Sequence, residues 1–325
     1  MATRNARIVR VGQWLLAAIV IAFAGRELAR QWGDIAPAFR NLRIDWRYVG
    51  ASGALVLATY LLLIESWRTM LRVWASSLPF GAAARIWFVS NLGKYVPGKV
   101  WQIAAMGAMA QRAGVPAVAA IGSSLVVNLV NIIAGAAIIA VTAGDRIAIA
   151  VGVDSATPII STRAVVTIVA IIGVAALAIA PTMIPRLATL AGRVTGRALP
   201  IPTVPSRAIW IAAATTATSW VLYGVAFAFF AKGVSPAATG NASSYIAVYT
   251  GSYLAGYLAL FAPGGVGVRE AVLVLAMPRF QLAPAADAAV IAVASRLWLT
   301  VLEIVPGLLM LRRTGSRAAA DGSHR

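Results

Sequence analysis

The 325-residue sequence contains no cysteine and only one histidine, His324. The absence of cysteine excludes a disulfide framework and thiolate chemistry. The only histidine lies in a polar C-terminal segment, so a metal site or a catalytic site built on histidine is excluded. We therefore expect the protein to bind neither a metal ion nor another cofactor.

Charged residues are also scarce, at 12% of the sequence, and 28 Lys and Arg stand against only 10 Asp and Glu. Hydrophobic residues make up 60%, and several apolar runs approach or exceed the ~20 residues that cross a bilayer. Because the arginines flank these runs, the positive charge indicates helix orientation and contact with anionic lipid rather than nucleic acid. The composition predicts an all-α polytopic membrane protein.

One short motif occurs twice, as Tyr95-Val-Pro-Gly-Lys-Val100 and as Phe261-Ala-Pro-Gly-Gly-Val266. We call Pro97-Gly98 the first break and Pro263-Gly264 the second break. Proline ends a helix, and glycine lets backbone approach backbone or ligand. Broken backbone at membrane depth occurs only where protein or a water-filled cavity covers it. Two such breaks, one in each half, indicate the binding site of a transporter.

The apolar runs predict six spans, and we expect each break to form a re-entrant hairpin. The leading arm of the first hairpin, residues 82–92, is too short to cross a bilayer. The leading arm of the second hairpin, residues 242–262, is long enough to cross, so a fully spanning arm is the alternative there. A loop is predicted from Pro181 to Arg207, and a disordered tail over 312–325. The predicted spans are residues 11–25, 48–64, 115–143, 164–180, 208–231 and 285–311.

The order of elements in residues 13–143, repeat A, recurs in residues 164–311, repeat B, within a single membrane domain. Each repeat has three spanning helices and one hairpin broken by Pro-Gly. Because three crossings is an odd number, the second repeat is inverted relative to the first. Six crossings and the positive-inside rule place both termini in the cytoplasm. The segment 26–47, with five arginines against three acidic residues, is the exception to this rule.

The two motifs together resemble the lysylphosphatidylglycerol synthase transmembrane family, the flippase-like membrane domain of the multiple peptide resistance factor. The resemblance rests on Lys94-Tyr-Val-Pro-Gly-Lys-Val-Trp101, Arg112-Ala-Gly-Val-Pro116 and Pro263-Gly-Gly-Val-Gly-Val-Arg-Glu270. It implies translocation of aminoacylated phosphatidylglycerol, or of related anionic or polyprenyl-linked lipids, between leaflets. The sequence ends fourteen residues after Leu311, so we expect a stand-alone member without the aminoacyl-transferase domain.

The charged residues near the breaks are the first candidates for a site. Lys94 and Lys99 either contact a phosphate or extend to the membrane surface. Arg269 and Glu270 form either part of a binding site or a structural pair that locks the hairpin. The remaining candidates around the breaks serve either close backbone approach or packing; they are Tyr95, Pro97, Gly98, Pro263, Gly264, Gly265 and Gly267.

Polar residues on the spans are further candidates. Asn128 and Asn131 share one helix face and either join helices or line a polar path. Arg296 and Glu303 also share a face and either line a cavity or form a structural pair. Four tyrosines recur every four residues from Tyr245 to Tyr257, and they form either core packing or a path for a lipid headgroup.

These features predict a transporter of anionic lipids in a bacterial inner membrane. The headgroup would pass a polar groove while the acyl chains stay in the bilayer, and Glu270 would orient Arg269 or carry a proton. A scaffold for a cell-envelope enzyme is one alternative. An integral membrane enzyme acting on lipid phosphates is another, although no nucleophile or paired carboxylates indicate it. A homodimer is compatible with the sequence.

Overall fold

The computed structural model describes residues 44–95, 100–143, 162–195, 202–259 and 262–322. Within these ranges the chain forms helices joined by short turns. Two 3-10 helices, Leu92–Tyr95 and Pro263–Gly265, lie at the two breaks. The α-helices are α1 (Trp46–Val73), α2 (Phe80–Asn91), α3 (Val100–Arg112), α4 (Ala117–Ala143), α5 (Thr162–Thr195), α6 (Ser206–Val234), α7 (Ala242–Leu258), α8 (Val268–Arg279) and α9 (Ala285–Gly322).

Five stretches of the described residues are long and apolar enough to cross a membrane. Each coincides with one of the predicted spans, so the prediction of a helical, multi-pass membrane protein is confirmed at this level. The sixth predicted span, residues 11–25, lies outside the described residues. The five stretches are Trp46–Val73, Ala117–Ala143, Thr167–Arg186, Ser206–Val234 and Ala285–Met310.

The pair α1 and α6 forms the largest helix–helix interface of the described chain, and its two helices run antiparallel. The backbone N–H of Asp45, before α1, donates to the carbonyl of Gly233 near the end of α6 (2.9 Å). Farther along α1, the Ser66 hydroxyl accepts a hydrogen bond from Thr215 near the start of α6 (3.2 Å). Small residues at this interface let the two backbones approach closely, as is typical of helix packing in membranes.

The helices beside the breaks are short. Helix α2 has 12 residues and α3 has 13, so each rises only about 18–20 Å, less than the ~30 Å of a hydrocarbon core. Helix α2 packs against α3, and α7 packs against α8. The 3-10 helix before the first break contacts the 3-10 helix of the second break. The segments beside the two breaks therefore lie against each other in the structure.

The second break lies directly against the backbone of α7. Gly265 has a φ of +72°, and a Cβ atom at this position would lie 2.8 Å from the carbonyl oxygen of Gly256. Only glycine accommodates both this left-handed backbone and this close approach. The backbone contact fixes α7 against the start of α8, the helix that carries Arg269 and Glu270.

Two boundaries differ from the sequence prediction. Helix α5 continues through Pro181 and Pro185 to Thr195, where a loop was predicted from Pro181. Each proline removes only one N–H donor, and a helix at membrane depth keeps its remaining internal hydrogen bonds because lipid offers no other partner. Helix α9 includes residues 312–322, where a disordered tail was predicted.

Candidate functional site

A cavity of about 400 Å³ lies between the helices of the two halves. It contains apolar, aromatic, amide and charged side chains, a composition typical of a ligand pocket. Besides two of the four tyrosines on α7, six of the candidate residues from the sequence line it: Asn128, Asn131, Gly264, Arg269, Arg296 and Glu303. The other lining residues are Tyr60, Leu63, Trp67, Trp87, Asn91, Gln102, Ile103, Met106, Ile121, Ser124, Leu125, Val127, Ser219, Trp220, Tyr223, Tyr253, Gly256, Tyr257 and Leu299.

Arg269 is the most unusual residue of the cavity. It is only 5% exposed, and its guanidinium carbon lies 4.8 Å from the ring centre of Tyr249 and 5.1 Å from that of Tyr253. Its Nη2 atom is buried without a hydrogen-bond partner. Among the described residues no carboxylate lies within ion-pair distance of it. Two aromatic faces thus hold this cation by cation–π attraction, while part of its hydrogen-bonding capacity stays unused.

Arg296, on α9, connects the last helix to the second break. Its Nη2 donates to the carbonyl of Gly264 at 2.9 Å, and its Nε lies 3.8 Å from Oε1 of Glu270. The other carboxylate oxygen of Glu270 accepts the backbone N–H of Gly267 at 2.7 Å, at the start of α8. Glu270 therefore caps its own helix and partly neutralises Arg296.

We expect Arg296→Met to lower the melting temperature, because it removes the hydrogen bond to Gly264 and leaves the half-buried Glu270 carboxylate without its cation. The loss corresponds to about 1–3 kcal/mol. Adding Glu270→Gln removes the uncompensated charge and keeps an oxygen for the Gly267 N–H, so the double variant should be more stable than Arg296→Met alone. Thermal unfolding in detergent measures this coupling, and strictly additive losses would contradict the pairing.

Glu303 lies on the same face of α9, two turns after Arg296. Its Oε1 accepts a hydrogen bond from the Tyr60 hydroxyl at 3.3 Å. The Tyr60 ring in turn contacts Trp87, with ring centres 5.2 Å apart, and Tyr223, at 6.2 Å. The cavity thus has an acceptor group set in an aromatic wall, in addition to the cation of Arg269.

The family model described as the lysylphosphatidylglycerol synthase TM region matches residues 10–307. The chain belongs to this family. The match covers nearly the whole sequence and includes both breaks and every residue that lines the cavity. No curated protein matches the chain at a significant level.

In this member of the lysylphosphatidylglycerol synthase TM family, the candidates at the first break are only partly described. Lys94 and Tyr95 belong to the 3-10 helix Leu92–Tyr95, and Pro97, Gly98 and Lys99 lie outside the described residues. Pro263 begins the second 3-10 helix. Their role in binding therefore stays a prediction.

The polar candidates on α4 line the cavity but also bond within the protein. The Asn128 side-chain amide donates to the Ser124 carbonyl one turn earlier at 3.0 Å. The backbone carbonyl of Asn131 accepts the Trp220 indole N–H at 3.0 Å. Both positions therefore line the cavity; the Asn128 side chain bonds within α4, and Asn131 joins α4 to α6 through its backbone rather than its side chain.

Several lining residues were absent from the sequence prediction. Tyr60, Trp87, Trp220 and Tyr223 come from three separate helices, and tertiary packing alone brings them together. Gln102 donates a side-chain hydrogen bond to Asn91 and so joins α3 to α2 across the first break. The sequence signal that could have identified part of this group is the spacing of Trp220 and Tyr223, which places both on one face of α6.

Proposed function

We propose that the protein moves a lipid with an anionic phosphate headgroup between the two leaflets, and that the headgroup passes through the cavity. The observation that carries the proposal is Arg269. A buried hydrogen-bond donor without a partner costs about 1–3 kcal/mol, and a phosphate oxygen in the cavity would remove this cost. Arginine binds phosphate through two nitrogens of its planar fork, which suits this role.

The other polar groups of the cavity support recognition of a headgroup. Asn128, Gln102 and Ser219 also line the cavity and add polar groups to its wall. Glu303 would accept hydrogen bonds from hydroxyl or amine groups of the same headgroup, as in an aminoacylated lipid. The membership in the lysylphosphatidylglycerol synthase TM family supports a lipid as the ligand.

The test is lipid movement by the purified full-length protein in vesicles. A fluorescent phosphatidylglycerol in the outer leaflet should become protected from a membrane-impermeant quencher faster than in protein-free vesicles. A fluorescent phosphatidylcholine of the same chain length is the matched control for headgroup selectivity. Equal protection with and without protein would reject transport and favour the scaffold.

We also propose that the chain is an inverted repeat with two re-entrant hairpins. The second spans of the two halves, α1 and α6, pack antiparallel, as an axis in the membrane plane requires. Helix α2 packs against α9, and its counterpart α7 packs against α4. The pairs α3–α4 and α8–α9 correspond in the same way. Each helix pair named here therefore has a counterpart when every helix is replaced by the equivalent helix of the other half.

This topology, in a bacterial inner membrane, places both termini in the cytoplasm. A reporter fused after Arg325 and one inserted at 196–201 should both report the cytoplasmic side, whereas one inserted at 150–155 should report the opposite side. The physical reason is the arginine-rich stretch at 186–207, which the positive-inside rule retains in the cytoplasm. Reporters at 150–155 and 196–201 on the same side would contradict the six-crossing topology.

A further inference from the structure

The residues that line the cavity differ in how much of each side chain is exposed. Most are buried or half-buried, and three are exposed: Ile103 at 40%, Leu125 at 54% and Tyr257 at 38%. All three have large apolar bodies. They lie on three different helices, α3, α4 and α7. The cavity therefore reaches the surface of the described chain at an apolar place.

The helix packing shows the shape of this opening. Helix α4 packs against both α3 and α7, whereas α3 and α7 share no extensive interface in the described part of the chain. Leu125 of α4 thus lies at a cleft between α3, which carries Ile103, and α7, which carries Tyr257. Leu129, one turn farther along α4, is 46% exposed, so apolar surface continues outward from the cavity.

The surroundings of the cleft determine what can occupy it. Helix α4 is a candidate membrane span, so we expect its exposed apolar face to meet lipid. The cavity volume of about 400 Å³ is at the low end of the ~300–1,000 Å³ found for small-molecule sites. That volume suits a headgroup, and the acyl chains of the same lipid need another place.

We infer that the cleft formed by Ile103, Leu125 and Tyr257 is a lateral portal, in which the acyl chains of a lipid lie while its headgroup occupies the cavity. This inference rests on the proposed function. It adds the route by which the lipid enters from the bilayer and the residues that contact its chains. Tyr257 has an apolar ring and a polar hydroxyl, so it suits the boundary between chain and headgroup.

The portal can be tested by narrowing it. Leu125→Trp adds bulk within the cleft, where the leucine is already half exposed, so the protein should still fold. The matched control is Leu61→Trp on α1, where the leucine is 51% exposed and does not line the cavity. In vesicles, Leu125→Trp should reduce movement of fluorescent phosphatidylglycerol to the rate without protein, and Leu61→Trp should retain the wild-type rate. Both variants should have the wild-type melting temperature.

A second measurement does not depend on transport. Phosphatidylglycerol carrying a photoactivatable diazirine in one acyl chain should label wild-type peptides that contain Ile103 and Leu125 more than the peptide that contains Leu61. If the wild type moves lipid and Leu125→Trp moves it equally fast, the portal is rejected and transport stands. If the wild type moves no lipid, transport is rejected. Selective labelling of the Ile103 and Leu125 peptides would then still support the portal as a lipid site. Equal labelling of these peptides and the Leu61 peptide would overturn it.

Discussion

Arg269→Ala is expected to reduce lipid movement to the rate of protein-free vesicles while the protein stays folded. The substitution removes the cation that lies over the rings of Tyr249 and Tyr253 and the buried donor that a phosphate would use. Because no carboxylate of the described residues pairs with Arg269, its removal leaves no partner charge unpaired. The fold should therefore tolerate the change, with a melting temperature close to that of the wild type.

The conservative variant separates charge from shape. Arg269→Lys keeps the positive charge but loses the planar fork and its stacking on two rings, so it should restore only a small part of the rate. Arg279→Ala, at the end of the same helix and outside the cavity lining, is the matched control and should move lipid at the wild-type rate. An Arg269→Ala protein that moves lipid normally would end the assignment of this arginine to the site.

Gly265→Ala is expected to cause the largest loss of stability among single substitutions at the breaks. Its backbone has a φ of +72°, and the added Cβ would lie 2.8 Å from the Gly256 carbonyl oxygen. Neither backbone can move without separating α7 from α8. Left-handed strain and overpacking together correspond to about 2–5 kcal/mol, which thermal unfolding in detergent would register as a large drop in melting temperature.

Gly114→Ala is the control that separates left-handed backbone strain from overpacking. Gly114, between α3 and α4, also has a positive φ, +82°, but an added Cβ there would have no atom within 4 Å. It should show the strain alone, about 1–2 kcal/mol. Equal losses at the two positions would mean that close packing at the second break adds nothing to stability.

The spans could be located from the sequence because a long apolar run in a membrane must satisfy its backbone hydrogen bonds internally, and a helix does so. The run before Ala180 and the run after Ala285 both predicted spans that the structure contains. The end of α5 could not be predicted, because Pro181 in isolation reads as a helix stop. The cost of a proline in a helix depends on whether lipid or water surrounds the backbone.

Sequence order left the role of Arg269 and Glu270 open, either as part of a binding site or as a structural pair. Arg269 and Glu270 are adjacent, which suggested a pair, but consecutive residues on a helix point in directions about 100° apart. Glu270 pairs instead with Arg296, and Arg269 stacks on tyrosines. These partners come from α7 and α9, and only tertiary packing brings them to α8.

The four tyrosines that recur every four residues from Tyr245 to Tyr257, the tyrosine stripe, lie in two different environments. A spacing of four residues advances about 40° around a helix at each step, so the four side chains do not share one environment. Tyr245 and Tyr249 are fully buried, whereas Tyr253 and Tyr257 line the cavity. Core packing therefore holds for Tyr245 and Tyr249, and Tyr253 and Tyr257 line the cavity that we propose for the headgroup.

The burial of Arg269 affects the difference in free energy between the protein without ligand and the protein with an anionic headgroup bound. Its guanidinium loses its hydration shell when the chain folds, and two aromatic faces replace that shell only in part. Under the proposed function, an arriving anion would find a cation that is already dehydrated and held in place, and that cost would not recur at binding. Affinity at this position would then be obtained at the expense of the stability of the unoccupied state.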